Sequence, residues 1–293
     1  MTQLSYARSS GRVMIVLSLA VAFGVQTTAQ TPPYTPPPPP PPAASQAAAA
    51  PLPPPPTLAP RQLDQLVARI ALYPDPLLAH ILTASTYWDQ IADAAAWANQ
   101  HSYLKGEALA NAIKEDNLPW ESSVLALLPF PSVLSLMAQD PAWVQQLGQA
   151  VLAQRTDVMD AVQRMRRQAY NYGYLRTNPY DTVVDSEGYI EVLPVNPAYI
   201  YVPFYDVGVA FGPPPPGIFI GGVIRFGPAI VIGAAFAPWG WAHPFFEWRT
   251  HAIWFDNTFW GRSWLNRGFY THPYEHPWVR SGPRVERNQM GHR

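Results

Sequence analysis

His243, Glu247 and His251 recur at intervals of four, and His272 and His276 bracket a further acid in the run His272-Pro273-Tyr274-Glu275-His276. Imidazole and carboxylate groups are the ligands zinc takes, and on one helical face the first three would converge. His243, Glu247, His251, His272 and His276 are therefore the candidate metal ligands. Neither group reads HExxH, in which two histidines hold zinc and a glutamate acts as base, and surface histidines among tryptophans are the plainer reading. Seven of the eleven tryptophans lie between Trp239 and Trp278, interleaved with Arg249, Arg262 and Arg267. Rings with an apolar body and a polar edge stack on sugars or settle at a lipid headgroup boundary, which makes Trp254, Trp260 and Trp264 the candidate ligand-binding residues. Packing within a small loop-rich subdomain is the competing reading of the same rings.

Catalytic chemistry has weaker support, and no catalytic residue is assigned. GxSxG, a Walker loop and the Rossmann glycine fingerprint do not occur. Ser85 stands near Tyr87 and Asp89 but reads as a polar residue flanking a helical stripe; Asp89 and Asp93 read as a solvated face, and His80 as a helix-surface residue. With no cysteine in 293 residues, thiolate zinc, iron–sulfur clusters, disulfides and a cysteine nucleophile are excluded. No cofactor is expected. A formal charge of -1 argues against nucleic acid as a partner, because phosphate contacts require an excess of Lys and Arg.

The elements that must position these residues follow from periodicity. Leu63, Leu66, Val67 and Ile70 mark a helix from about Arg61 to Tyr73. Asp75-Pro76 and Asp140-Pro141 read as a cap followed by a first-turn proline, and Pro119 and Pro131 as first-turn prolines of two short helices. Two more helices are expected near Trp88 to Asn99 and Gly106 to Asp116. Val144, Leu147, Val151, Val158, Val162 and Met165 keep a heptad seam that predicts one long spine helix from Pro141 to about Tyr170. The cluster Arg164, Arg166 and Arg167 then falls in its last turns as a solvated, dipole-compensating end. Thr182 to Val184 and Tyr189 to Leu193 flank Ser186-Glu187-Gly188 as a hairpin; Tyr199 to Phe204 is a third strand, with Pro203 demanding an edge or a bulge. The expected fold class is α+β: a multi-helix body with one spine helix, a short antiparallel sheet, and a Gly/Pro/aromatic-rich tail.

Ahead of this body, Arg8 and Arg12 precede an apolar run from Val13 to Val25 that ends in Thr27-Thr28-Ala29. This reads as a secretory signal, residues 1–29, cleaved after Ala29; its apolar run is short of the roughly 20 residues that span a bilayer. Residues 30–60 form a proline-rich linker, with fifteen prolines in the thirty residues from Thr31 to Pro60. In polyproline II geometry it reaches roughly 90 Å. The body occupies 61–207 and the Gly/aromatic tail 208–293. Asp181, Asp185, Glu187, Glu191 and Asp206 make the strand segment acidic, whereas the tail has eight arginines against four acids, so the tail is expected to fold back on the hairpin. Phe226 to Ala242 carries no charge, but glycines and prolines interrupt it; buried strands or a peripheral membrane contact are expected, with no transmembrane helix after signal cleavage.

The runs ALYPDPLLAHILTASTYWDQIADAAAW (71–97), PWESSVLALLPFPSVLSLM (119–137), LGQAVLAQRTDVMDAVQRMRRQAYNYGYL (147–175) and NPAYIYVPFYD (196–206) resemble a family of secreted bacterial proteins, the domain of unknown function numbered three thousand three hundred. The resemblance covers about residues 63–206. It implies export and the limits of the domain, and it brings no activity, substrate or catalytic residue.

These readings converge on an exported protein of the periplasm, cell envelope or exterior, acting without catalysis on an envelope polymer or a protein partner. Two alternatives stand beside it: a binder or hydrolase of envelope glycans using the Trp-rich tail, and a metal-dependent enzyme using the tail histidines.

Overall fold

The computed structural model describes residues 55–214 and 222–270, all within one compact unit. The signal segment and most of the linker lie outside the described residues, as do His272 and His276.

Helix α1 (Pro60–Val67) buries Leu63, Leu66 and Val67. The chain then turns at Tyr73-Pro74 into α2 (Asp75–Ser85), where every residue but Pro76 is buried. A helix apolar or small on all sides belongs at the centre of a core. Around it pack α3 (Trp88–Gln100), α5 (Ser122–Leu125) and α7 (Pro141–Ala153), while α4 (Gly106–Glu115) and α6 (Pro131–Gln139) form an outer layer. Pro131 and Pro141 sit in first turns, and Asp140 caps α7 by accepting the Trp143 N–H at 3.0 Å. At the α2–α7 crossing, a Cβ on Gly148 would lie 2.0 Å from the Ser85 carbonyl oxygen, so the helices can approach this closely only over glycine.

The expected spine helix is instead two helices. Gln154 leaves helical geometry at φ -137 and ψ 43, separating α7 from α8 (Arg155–Asn171). Its side chain accepts from Leu58 N at 2.7 Å and donates to Leu58 O at 3.3 Å, clasping the chain that leads into α1. The six seam residues from Val144 to Met165 are nonetheless all buried. Two further expectations are corrected here. Arg166 is fully buried rather than part of a solvated helix end, and His80 is buried rather than on the surface.

Strands β1 (Asp181–Ser186) and β2 (Tyr189–Pro194) form the expected hairpin. Glu187 and Gly188, both at positive φ, supply the turn that matches strand twist. Strand β3 (Tyr199–Phe204) is followed by the single turn α9 (Val207–Ala210), and pairs antiparallel with β4 (Arg225–Val231); its register shifts between Tyr201 and Pro203, where the missing N–H interrupts the ladder. Just beyond β3, the Tyr205 hydroxyl donates to Ala68 O at 2.9 Å and accepts from Leu72 N at 3.4 Å, fastening the strand to the α1–α2 turn. A 3-10 turn (Ala234–Trp239) leads to the antiparallel sheet β5 (Pro244–Glu247), β6 (Ala252–Phe255) and β7 (Thr258–Phe259). Helices and short antiparallel sheets make the fold α+β.

Residue 207, the expected end of the body, lies between two paired strands. Phe236, Trp239, Trp241, Phe246, Trp248 and Ile253 enter the same core as α2. The Trp241 indole donates to Ala126 O at 2.9 Å, and Arg249 meets Glu187 of the hairpin at 2.8 Å. Among the described residues, no helix is long and apolar enough to cross a membrane.

Candidate functional site

On β5, β6 and β7 the alternation of side chains sends Phe246 and Ile253 into the core and Phe245, Trp254 and Phe259 to the opposite face. Phe245 is the register partner of Trp254, and Trp254 of Phe259. The first two rings lie 6.2 Å apart and within 6° of parallel; Trp254 and Phe259 meet edge to face at 5.6 Å. Phe245 is 39% and Phe259 47% exposed, while Trp254 between them is half-buried. The row is bordered by cationic or ionisable groups. His243 lies 6.4 Å from Phe245, and the Arg155 guanidinium is 5.5 Å from the Phe259 ring and 5.1 Å from Trp260. Arg155 is fixed there by donating to Trp260 O at 2.8 Å. Apolar ring faces beside oriented donors form a surface on which the C–H face of a sugar can stack while its hydroxyls find polar partners.

Of the three tryptophans expected to bind, only Trp254 lies in this row. Trp260 packs partly buried against the core beneath Arg155, whereas the Trp264 backbone N–H donates to Leu152 O at 2.8 Å and its ring lies under the Arg267 guanidinium at 4.0 Å. Phe245 and Phe259 were not anticipated. The alternation Phe245/Glu247 against Phe246/Trp248 carried a signal for the first. Phe259 joins the row only because Asp256, at positive φ, turns the chain back after β6.

Of the expected metal set, His243, Glu247 and His251 do not come together on one face, and His272 and His276 lie outside the described residues. His243 precedes β5, Glu247 ends it, and His251 follows a 3-10 turn in the left-handed region, so the interval of four is not realised as a helix. The His251 Nε2 lies 2.8 Å from an Asp160 oxygen on α8 instead. Among the described residues no group of three or more His, Cys, Asp or Glu side chains could hold a metal ion.

Beneath the aromatic sheet lies a buried ionic centre. Asp75 at the start of α2 meets Arg166 of α8 at 2.6 Å. Rather than capping its helix, the Asp75 carboxylate accepts from the Trp248 indole at 3.1 Å and Val192 N at 3.4 Å. Arg166 also donates to Ala71 O, Ile190 O and Tyr73 O, each at 2.8 Å. Burial pushes the Asp75 carboxyl upward, and Arg166 opposes that shift. The centre ties α2, α8, the hairpin and the 3-10 turn at Trp248 together. His80 is held between Trp241 and Phe255, with ring centroids at 4.4 and 4.8 Å. Neither of its nitrogens makes a hydrogen bond of good geometry, and burial pushes its pKa down to about 3, opposed by the nearby Gly240 backbone. It is neutral at physiological pH. The Ser85 hydroxyl donates to Leu82 O at 2.7 Å, within its own helix; Asp89 is exposed and Asp93 half-buried on α3.

The family described as "Protein of unknown function (DUF3300)" matches residues 59–264. The Uncharacterized protein YacH of Escherichia coli (strain K12) is 33% identical over 222 residues, covering 60% of this chain and 36% of that protein, so the chain spans about a third of this relative's length. No solved structure matches. With a match running from the start of α1 through the aromatic sheet, the chain belongs to the DUF3300 family.

Proposed function

We propose that this is an exported, non-catalytic interaction protein of the cell envelope that holds a glycan-bearing envelope polymer on the row Phe245, Trp254 and Phe259. The observation that carries the reading is the row itself. Three aromatic rings stand in register on one sheet face, two of them more than a third exposed, and form an apolar patch of the kind that serves as a binding surface. Export rests on Arg8, Arg12 and the apolar run from Val13 to Val25. The proline-rich segment that follows suits a spacer through a polymer mesh. A peripheral membrane contact is the second reading, favoured by Leu265 and Phe269, which are 80% and 91% exposed beyond the sheet.

The test is co-sedimentation of the full chain with purified peptidoglycan sacculi and, separately, with anionic lipid vesicles. Replacing Phe245 and Trp254 together by Ala is expected to weaken sacculus binding by about 5- to 150-fold, the scale of losing about 1–3 kcal/mol of ring stacking. Retained sacculus binding in the double variant overturns the reading, and a loss confined to vesicles transfers the row to the membrane.

A further inference from the structure

A cleft of about 290 Å³ opens between the first turns of α4 and α6 and the β3–β4 sheet, on elements separate from the aromatic row of β5, β6 and β7. Its floor is buried and apolar, formed by Leu109 of α4, Pro129 ahead of α6 and Val202 of β3. Ile230 of β4 and the Phe204 ring are its walls, and Phe204 is 45% exposed. The ring lies against the backbone of Gly227, where an added Cβ would meet Phe204 Cε2 at 3.0 Å. Gly227 is not in the left-handed region, so this glycine provides room for the ring rather than a turn. Leu109, Pro129 and Val202 offer no polar side-chain atoms, whereas a bound water needs two to four polar partners. The floor therefore suits carbon better than water.

The polar side chains of the lining are Lys105, just ahead of α4, and Ser132 in the first turn of α6. Both are exposed while the floor is buried, so they mark the mouth. The lining thus has one cation and no acid. Among the described residues Lys105 has no ion-pair partner. Glu107, two positions along the chain, is exposed and does not line the cleft. An apolar concavity with a few polar groups at one end is the usual form of a small-molecule site, and the sign of this end favours an anion.

We propose that this cleft binds a free, single-chain alkyl carboxylate of medium length, with its methylenes against Leu109, Val202, Ile230 and Phe204 and its carboxylate at Lys105. A lone ammonium beside a hydroxyl matches a monoanion; phosphate groups are more often held by the bidentate fork of arginine, which this lining lacks. The volume lies at the lower end of the range for ligand sites. It accommodates one chain of about eight carbons rather than the paired long chains of a membrane lipid. This site goes beyond the polymer-binding reading and does not depend on it.

The experiment follows the methyl resonances of Leu109, Val202 and Ile230 in the full chain during titration with sodium octanoate, sodium hexanoate and octylammonium chloride, at neutral pH and low ionic strength. Octanoate is expected to shift all three and to bind on the order of tenfold more tightly than hexanoate, since each buried methylene contributes about fourfold. It is also expected to bind about three- to tenfold more tightly than octylammonium, the scale of exchanging attraction for repulsion at an exposed charge, and added salt should shrink that ratio. Lys105→Glu is expected to reverse the order of the two ions. Lys105 is exposed and an acid suits the start of α4, so the variant should keep the fold; the order of ligands on the unaltered protein is decisive in any case. Equal binding of octanoate and octylammonium, an unchanged order in Lys105→Glu, or unmoved methyl signals at millimolar octanoate overturns the proposal. Signals that respond instead to dilution of the protein, or to deletion of residues 31–54, would assign the cleft to a second copy or to the proline-rich segment and overturn it equally.

Discussion

A carboxyl that titrates at about 7 in the folded chain and near 3.9 when unfolded holds its proton more tightly in the native state. The sign of the resulting pH dependence is fixed. Between those two values the native state binds more protons, so Asp181 stabilises the fold at low pH and that contribution is lost as pH rises through about 7. Asp181→Asn removes the titration while keeping the shape of the neutral acid. It is expected to be nearly neutral at pH 4 and to stabilise the protein at pH 8 by on the order of 3 kcal/mol, about two to three pKa units at 1.36 kcal/mol each. Urea unfolding at the two pH values measures this, and a variant whose gain is the same at both would refute the assignment. The contrast with Asp75 is physical. Both carboxyls are buried, but Asp75 has Arg166, Trp248 and Val192 N as partners, whereas the Oδ1 of Asp181 has none. In the sequence Asp181 is one member of an acidic stretch, alike in type to Asp185, which is paired with Arg167 near the surface. Nothing local separates the two. Their difference is made by α8, which presents one arginine inward and its neighbour outward.

At the scale of elements, local chemistry decided what was legible. The hairpin turn at Glu187-Gly188, the cap at Asp140 and the prolines opening α6 and α7 rest on interactions within a few residues, and each is found where periodicity and turn chemistry put it. The break at Gln154 was hidden because the heptad seam continues across it; what interrupts the helix is a clasp on Leu58, ninety-six positions away. Gly148 was equally silent, since a glycine within a helix carries no sign of what crosses it. Its role follows from the α2–α7 contact, where an added methyl would lie 2.0 Å from the Ser85 carbonyl oxygen, 2.7 Å from its carbon and 3.0 Å from the Thr86 Cα. These are backbone atoms of a fully packed helix and cannot swing aside. Gly148→Ala is therefore expected to destabilise by about 1–3 kcal/mol or more, despite the higher helix propensity of alanine. Thermal melting of this single variant provides the measurement. An unchanged or raised melting temperature would show that the two helices separate freely at this crossing.

The whole molecule is held together by contacts that no window of sequence contains. His80 and Arg166 read as surface residues of their helices because the groups that cover them, Trp241 with Phe255 and Trp248, arrive from the far end of the chain. The heptad seam and the short helices suggest a core that is complete by residue 207, yet β3 finds its partner in β4 and α2 is covered by β5. Cutting the chain after residue 207 would leave Asp75 without the Trp248 donor, open His80 to water and strip β3 of its ladder. Each buried tryptophan is worth about 3–5 kcal/mol, so Trp241 and Trp248 alone approach the 5–15 kcal/mol that holds a typical domain folded. The exposed Arg249–Glu187 pair adds little to this. A chain of residues 61–207 is accordingly expected to keep helical circular dichroism but to lose its sharp thermal transition and bind a hydrophobic dye, because local helix propensity survives where specific packing does not. Trp248→Ala in the full chain separates the two contributions: it removes one ring and one hydrogen bond to Asp75 while leaving the β3–β4 sheet in place, and should lower the melting temperature without abolishing cooperativity. A cooperative melt of the 61–207 chain at the temperature of the intact protein would show instead that the helices close their own core, and that the aromatic sheet is a passenger on it.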